Sequence, residues 1–278
     1  MAGELLKIGV VAPASRIEPS LAERVIRIAH KLCGDRVELI VHPQCFLSSG
    51  HFAGDDAVRA GAFVEIANDP SISVVWIARG GYGSNRILES VLPRLREPAY
   101  SKTWLGYSDA GFLLGALYAS GIGHPVHGPM PADLLREEGE VAVTRALAWL
   151  VERKAQTLEP SLQPGMRHAA FNLTILSHLI GTPYAPDLAD HVLMLEEVSE
   201  HTYRIDRALF HITSNANIRK VAGIRLGRCS AVPPNDPAFG KSEEEVTKDW
   251  CNRAGITYFG RAEIGHDADN RIVPFGQL

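Results

Sequence analysis

The stretch Gly106-Tyr107-Ser108-Asp109 carries the strongest chemical signal in the chain. A short run, Thr103-Trp104-Leu105, leads into it, and an apolar helical pattern from Ala110 to Ser120 follows. A serine at a tight strand-to-helix turn has its hydroxyl lifted clear of the backbone. Helix N–H groups then stand beside it, ready to receive a negative oxygen. That arrangement suits a nucleophile, although Gly-x-Ser-x-Ala lacks the second glycine of the usual elbow. Taken alone, the tetrapeptide reads more simply as a helix cap, a task that serine and aspartate both perform.

A second loop, Arg79-Gly80-Gly81-Tyr82-Gly83-Ser84, directly follows another apolar run. Closely spaced glycines let backbone N–H groups approach an anion, whether a phosphate or a developing oxyanion. The loop matches neither G-x-G-x-x-G nor the P-loop pattern, and a sharp turn needing positive φ explains the glycines equally well. A serine nucleophile also needs a base, and the base needs an orienting acid. His127 and His266 each end an extended segment beside glycine, and Leu193-Met194-Leu195-Glu196-Glu197 ends an apolar strand in two carboxylates. Strand alternation sends those two to opposite faces, so only one can enter a site. Adjacent glutamates at a strand end ordinarily face solvent. Spacing alone does not select a triad.

The elements around these residues predict a fold. Strand signals at Leu6–Ala12, Val37–Val41, Ile72–Ala78 and Trp104 alternate with helical patterns at Ser20–Leu32, Asp55–Asn68, Asn85–Leu92 and Ala110–Ser120. Repeated β-α units imply an α/β fold with an open, mostly parallel sheet. Ligands in such sheets bind beyond the carboxyl ends of the strands, where both loops belong. Ala132 to Arg153 reads as one further helix. Lys154 to Gly165, with Pro160 and Pro164, reads as a linker. Residues 1–153 are thus expected to form an α/β domain, 154–167 a linker, and 168–278 a smaller domain that mixes strands and helices. In the latter, strands are expected at 192–195, 221–226 and 257–259, and helices near 173–180, 205–213 and 242–252.

At 46% hydrophobic and 22% charged residues the composition is that of an ordinary globular protein. A net charge of −4 gives no electrostatic case for nucleic acid or an anionic membrane as partner. No apolar run approaches bilayer length. Glu4 and Lys7 interrupt Met1–Ser15, which does not read as a secretory signal. Cys33, Cys45, Cys229 and Cys251 show no C-x-x-C pair and read as reduced thiols in a cytoplasmic protein. The histidines form no metal-ligand pattern, and Asp267-Ala-Asp-Asn270 lacks what a calcium loop needs. Neither a metal nor another cofactor is expected.

Joined in this order, several short stretches resemble the LD-carboxypeptidase family of serine peptidases, which includes muramoyl-tetrapeptide carboxypeptidases and microcin C self-immunity proteins. They are Val11-Ala-Pro-Ala-Ser15, Arg79-Gly-Gly-Tyr-Gly83, Gly106-Tyr-Ser-Asp109, His127-Gly-Pro-Met130, Asn172-Leu-Thr, Leu179-Ile-Gly-Thr-Pro-Tyr184, Leu195-Glu-Glu197 with Tyr203-Arg-Ile-Asp-Arg207, and Gly265-His266. The resemblance implies a flavodoxin-like N-terminal domain, a β-rich C-terminal one, and a Ser–Glu–His triad falling on Ser108, Glu196 and His266. It puts the N–H groups of Asp109 and Gly81 in an oxyanion hole. It also implies a homodimer acting on a cytoplasmic murein tetrapeptide, from which the terminal D-alanine is released through an acyl-enzyme. The alternative is a member that hydrolyses peptidyl or aminoacyl nucleotides; a non-catalytic anion-binding protein is the more distant rival. The chain departs from the family at Ala170-Phe171, where relatives usually have Gly-Gly. Phe171 and Asn172 are therefore expected at the substrate cleft, with Phe171 narrowing it.

Overall fold

The computed structural model describes residues 5–277; residues 1–4 and 278, including part of the N-terminal stretch read above, lie outside that range. The first half alternates β1 (Leu6–Val11), α1 (Pro19–Cys33), β2 (Val37–Val41), α2 (Asp56–Asn68), β3 (Val74–Ile77), α3 (Leu88–Val91), β4 (Thr103–Gly106), α4 (Gly111–Ala119), β5 (His124–His127) and α5 (Gly139–Glu152). Local chemistry explains the boundaries. Pro19 occupies the first turn of α1, where its missing N–H costs nothing, and Gly34 ends that helix at positive φ. The Asp55 carboxylate accepts the Val58 N–H and starts α2. All four residues of β3 are buried, as a central parallel strand requires.

Strands β1 to β5 are parallel in the order 2-1-3-4-5, which carries the loops after β1, β3 and β4 to one sheet edge. The second half contains β6 (Arg167–Asn172), α6 (Leu173–Leu179), β7 (His191–Val198), α7 (Thr202–Ser214), β8 (Gly223–Ser230), α8 (Glu243–Ala254) and β9 (Tyr258–Arg261). Strands β6 to β9 form a second parallel ladder. Two short strands finish the described chain. β10 (Val273–Pro274) pairs antiparallel with β5 of the first sheet, and β11 (Gly276–Gln277) pairs antiparallel with β6 of the second.

One continuous hydrophobic cluster joins the two sheets, running from Ile77 and Phe112 through Phe171 to Leu195 and Leu209. Helix α4 makes this closeness possible. A Cβ at Gly115 would stand 2.5 Å from Leu179 and 3.3 Å from the Phe171 ring.

Two expected elements differ. The helix expected over 132–153 is broken: residues 131–135 form a 3-10 turn, and α5 begins only at Gly139. Asp133 draws the chain into that turn by accepting from Met130 N–H and Arg136 Nε, and Glu138 then takes a left-handed φ of 51°. The helix expected at 85–92 contracts to the single turn of α3, flanked by 3-10 turns at 84–87 and 92–94. The stretch 154–165 is built into the fold. Leu158 bridges to Ile272, and the buried Glu159 accepts the Glu263 N–H at 3.0 Å.

Candidate active site

Ser108 sits two residues beyond the end of β4 at φ 60°, a left-handed conformation costly for a residue with a Cβ. The side chains around it account for how that backbone is held. The carboxylate of Asp109 turns away from solvent and accepts the N–H groups of Gly83 (3.2 Å) and Ser84 (2.9 Å). Ser84 Oγ donates to the Asp109 carbonyl in return. On the other side of the glycine loop, the fully buried Arg59 donates to the carbonyls of Gly83 and Pro13. The loop after β3 and the turn after β4 are thereby locked together. A Cβ at Gly80 would stand 3.1 Å from Ser108 Oγ, so glycine there allows the loop to lie against the hydroxyl.

Glu196 lies near the end of β7, at an irregularity in its pairing with β8. Its Oε2 is 2.6 Å from His266 Nδ1, and Glu196 is completely buried. Burial by itself would depress the imidazole, but the charge and hydrogen bond of Glu196 outweigh it, and the His266 pKa stands above the ordinary histidine value. With Nδ1–H donating to the carboxylate, the lone pair belongs to Nε2, the tautomer a general base requires. Ser108, Gly80, Gly81, Tyr107, Arg136 and His266 all line one cleft of about 480 Å³.

The loop carrying His266 is tied down from several directions. Arg136 Nη1 donates to the His266 carbonyl at 3.0 Å, and Arg145 Nη1 to those of Ala268 and Asn270. Asn270 Oδ1 accepts the Gly265 N–H and stands 3.0 Å from His127 Nε2. His127, the other histidine singled out in the sequence, is buried at the end of β5, and burial pushes its pKa down to about 4. It is a neutral brace near neutral pH. The Tyr107 ring lies between the two histidines, 4.8 Å from His266 and 5.4 Å from His127, and its hydroxyl donates to Asp133 at 2.6 Å.

The structure thus brings Ser108, Gly81 and His266 to one cleft with Glu196 directly behind the histidine. Other residues lie elsewhere. Glu197 points oppositely to Glu196 and is buried rather than solvated. Its carboxylate accepts from Asn172 Nδ2, Val198 N–H, Thr174 N–H and Thr174 Oγ1. Asn172 is consumed by that bond and by capping α6 through Ile175 N–H, and it does not line the cleft. Phe171 corrects the expectation of a narrowed cleft. It is 1% exposed and fills the core, 5.1 Å from the Phe275 ring and against Gly115 of α4. Phe171→Ala should therefore cost about 3–5 kcal/mol of stability and leave the choice of substrate stereochemistry unchanged. Denaturant melts alongside turnover of L,D- and L,L-peptides check this; altered selectivity with intact stability would return Phe171 to the cleft.

Sequence reasoning missed Arg59, Asp133, Arg136 and Asn270. Asp133 and Arg136 fell inside a presumed helix, and Asn270 inside a stretch set aside as a failed calcium loop. The one available signal was Asp133 three residues after Met130, a side-chain-to-backbone spacing typical of capped turns.

Comparison with known proteins bears on the family and the fold. The murein tetrapeptide carboxypeptidase of Pseudomonas aeruginosa is 27% identical over 98% of this chain and 91% of its own. A Synechocystis sp. protein named "Putative carboxypeptidase" is 36% identical over 82% of this chain and 75% of its own. The crystal structure of muramoyltetrapeptide carboxypeptidase from Oxalobacter formigenes superposes with a TM-score of 0.81 at 24% identity, covering 96% of this chain and 93% of that one. The microcin C7 self-immunity protein MccF has the same fold, with a TM-score of 0.78 at 17% identity over 99% and 97% of the two chains. The class is that of the peptidases, here on a two-sheet α/β fold. Within it the chain belongs to the LD-carboxypeptidase family, whose N-terminal domain model matches residues 8–128 and whose C-terminal domain model matches residues 169–278.

Proposed function

We propose that the protein is a serine-type LD-carboxypeptidase that removes the terminal D-alanine from murein tetrapeptides during cell-wall recycling. The observation that carries this reading is the buried Glu196–His266 pair, 2.6 Å apart, with His266 opening onto the cleft that Ser108 also lines. In the proposed reaction His266 Nε2 takes the Ser108 proton as Oγ attacks the last peptide carbonyl. Glu196 holds the tautomer and stabilises the imidazolium. The N–H groups of Gly81 and Asp109 receive the oxyanion, each worth on the order of 3 kcal/mol of barrier. His266 then protonates the departing D-alanine nitrogen, and water hydrolyses the acyl-enzyme.

Mass spectrometry of a murein tetrapeptide panel tests the reading. Release of D-alanine from a free C-terminus following an L-centre supports it, whereas equal cleavage of L,D- and L,L-peptides rejects it. The nucleophile, base and electrophile are all supplied by side chains and backbone, so prolonged EDTA treatment should leave turnover intact. Recovery by zinc of an EDTA-abolished activity would contradict the mechanism. The reading further includes a homodimer in the cytoplasm, with residues 1–153 contributing Ser108, residues 168–278 contributing Glu196 and His266, and 154–167 connecting them. Sedimentation measures the oligomeric part.

A further inference from the structure

An enzyme that removes only the last residue must recognise the free carboxylate of that residue, and the cleft holds two cations that could do so. Arg79 belongs to the glycine loop, on the side of the oxyanion donors, and its contact is a 3.4 Å approach to the Arg16 carbonyl. Arg136 stands on the other side and is held at both ends. Its Nε donates to Asp133 Oδ1 at 3.0 Å and its Nη1 to the His266 carbonyl at 3.0 Å. Asp133 is fixed in turn by the Tyr107 hydroxyl and the Met130 N–H. Among the described residues no acceptor engages Nη2, and the side chain remains 40% exposed toward the cleft. A guanidinium clamped in this way is pre-organised, and an arriving anion meets a fixed fork rather than a mobile chain.

Reaction chemistry decides between the two. The terminal carboxylate hangs on the same Cα as the nitrogen that departs. That nitrogen must approach His266 to be protonated, so the carboxylate receptor must lie on the histidine side of the cleft, away from the oxyanion donors. Arg136, bonded to the backbone of His266 itself, meets this condition; Arg79 does not. We propose that Arg136 is the specificity-determining residue that binds the substrate's C-terminal carboxylate and restricts cleavage to the last peptide bond. The inference rests on the serine carboxypeptidase reading above.

The test compares kcat/KM for a murein tetrapeptide and for its C-terminal amide, using the unaltered enzyme and the variants Arg136→Gln, Arg136→Lys and Arg79→Gln. The unaltered enzyme should prefer the free acid by roughly a hundredfold, the scale of a charge-assisted hydrogen-bonded pair. Arg136→Gln also loosens the His266 loop and should slow both substrates, but the acid should lose a further factor of roughly a hundred, bringing the ratio close to one. Arg136→Lys keeps the charge without the fork and should retain part of the preference, and it serves if the glutamine variant folds poorly. Equal losses on both substrates would make Arg136 a mere brace for the His266 loop and overturn the proposal. So would collapse of the ratio in Arg79→Gln with Arg136→Gln unaffected. If the unaltered enzyme releases no D-alanine, the carboxypeptidase reading itself fails and this inference falls with it. An intact release with an unmoved ratio sinks this inference alone.

Discussion

Replacing Ser108 with alanine is expected to abolish turnover, lowering kcat by roughly a millionfold, the scale seen when a triad nucleophile is removed elsewhere. The hydroxyl is half-buried at the cleft wall and makes no structural bond among the described residues, so the fold should persist. A weak remainder from oxyanion stabilisation and binding should survive. The backbone adds a second readout. At φ 60° a Cβ is strained, and Ser108→Gly should be more stable than Ser108→Ala by about 1 kcal/mol although equally inactive. Assays of D-alanine release with paired thermal melts measure both effects. Near-normal kcat in either variant would end the serine-peptidase reading.

Glu196→Gln should be nearly as damaging, by about ten-thousandfold in kcat, because the amide favours the wrong imidazole tautomer and cannot balance the imidazolium. Its pH signature is distinctive. His266 works as a base only when neutral, so kcat/KM of the unaltered enzyme should climb as pH rises through its pKa. Glu196 raises that pKa, placing the acid limb above the ordinary histidine value of 6.5. Removing the carboxylate leaves burial as the largest influence on the ring, and burial disfavours the charged form. The residual activity of Glu196→Gln should therefore show an acid limb displaced to lower pH. A limb that stays put would mean that another group supplies the base. Glu197→Gln should instead act on stability, since it weakens a set of bonds bracing the start of α6 and leaves His266 untouched.

The parts legible in the sequence are those governed by local pattern. The buried run of β3, the capped start of α2 and the proline-led start of α1 each announce themselves within a dozen residues. The opposed faces of Glu196 and Glu197 follow from strand alternation. Long-range closure is not written locally. The burial of Glu197 depends on Asn172 and Thr174 approaching from the junction of β6 and α6, and the place of Phe171 depends on two glycines of α4 far away in sequence. Helix α5 starts late because Asp133 bonds forward and backward within its own turn, a choice that hydrophobic periodicity cannot register. Strands β10 and β11 are two residues each, below the length at which alternation can be read, and Pro274 would argue against a strand anywhere but an edge.

Those two minor strands limit how the molecule can be rearranged. Val273–Pro274 closes the free edge of β5, Gly276–Gln277 extends the second sheet, and Phe275 between them packs edge-on against Tyr118 of α4 at 5.6 Å. The two halves are therefore not interchangeable cassettes, whatever breakpoint is chosen between 154 and 167. A chimera joining the first half of this chain to the second half of a relative would bring a foreign edge strand to β5 and a foreign partner to Tyr118. Severing the halves would uncover a hydrogen-bonding edge open to aggregation. Recombination that respects this suture must carry the segment from Ile272 to Phe275 along with the sheet that it closes, and not with the sequence beside it.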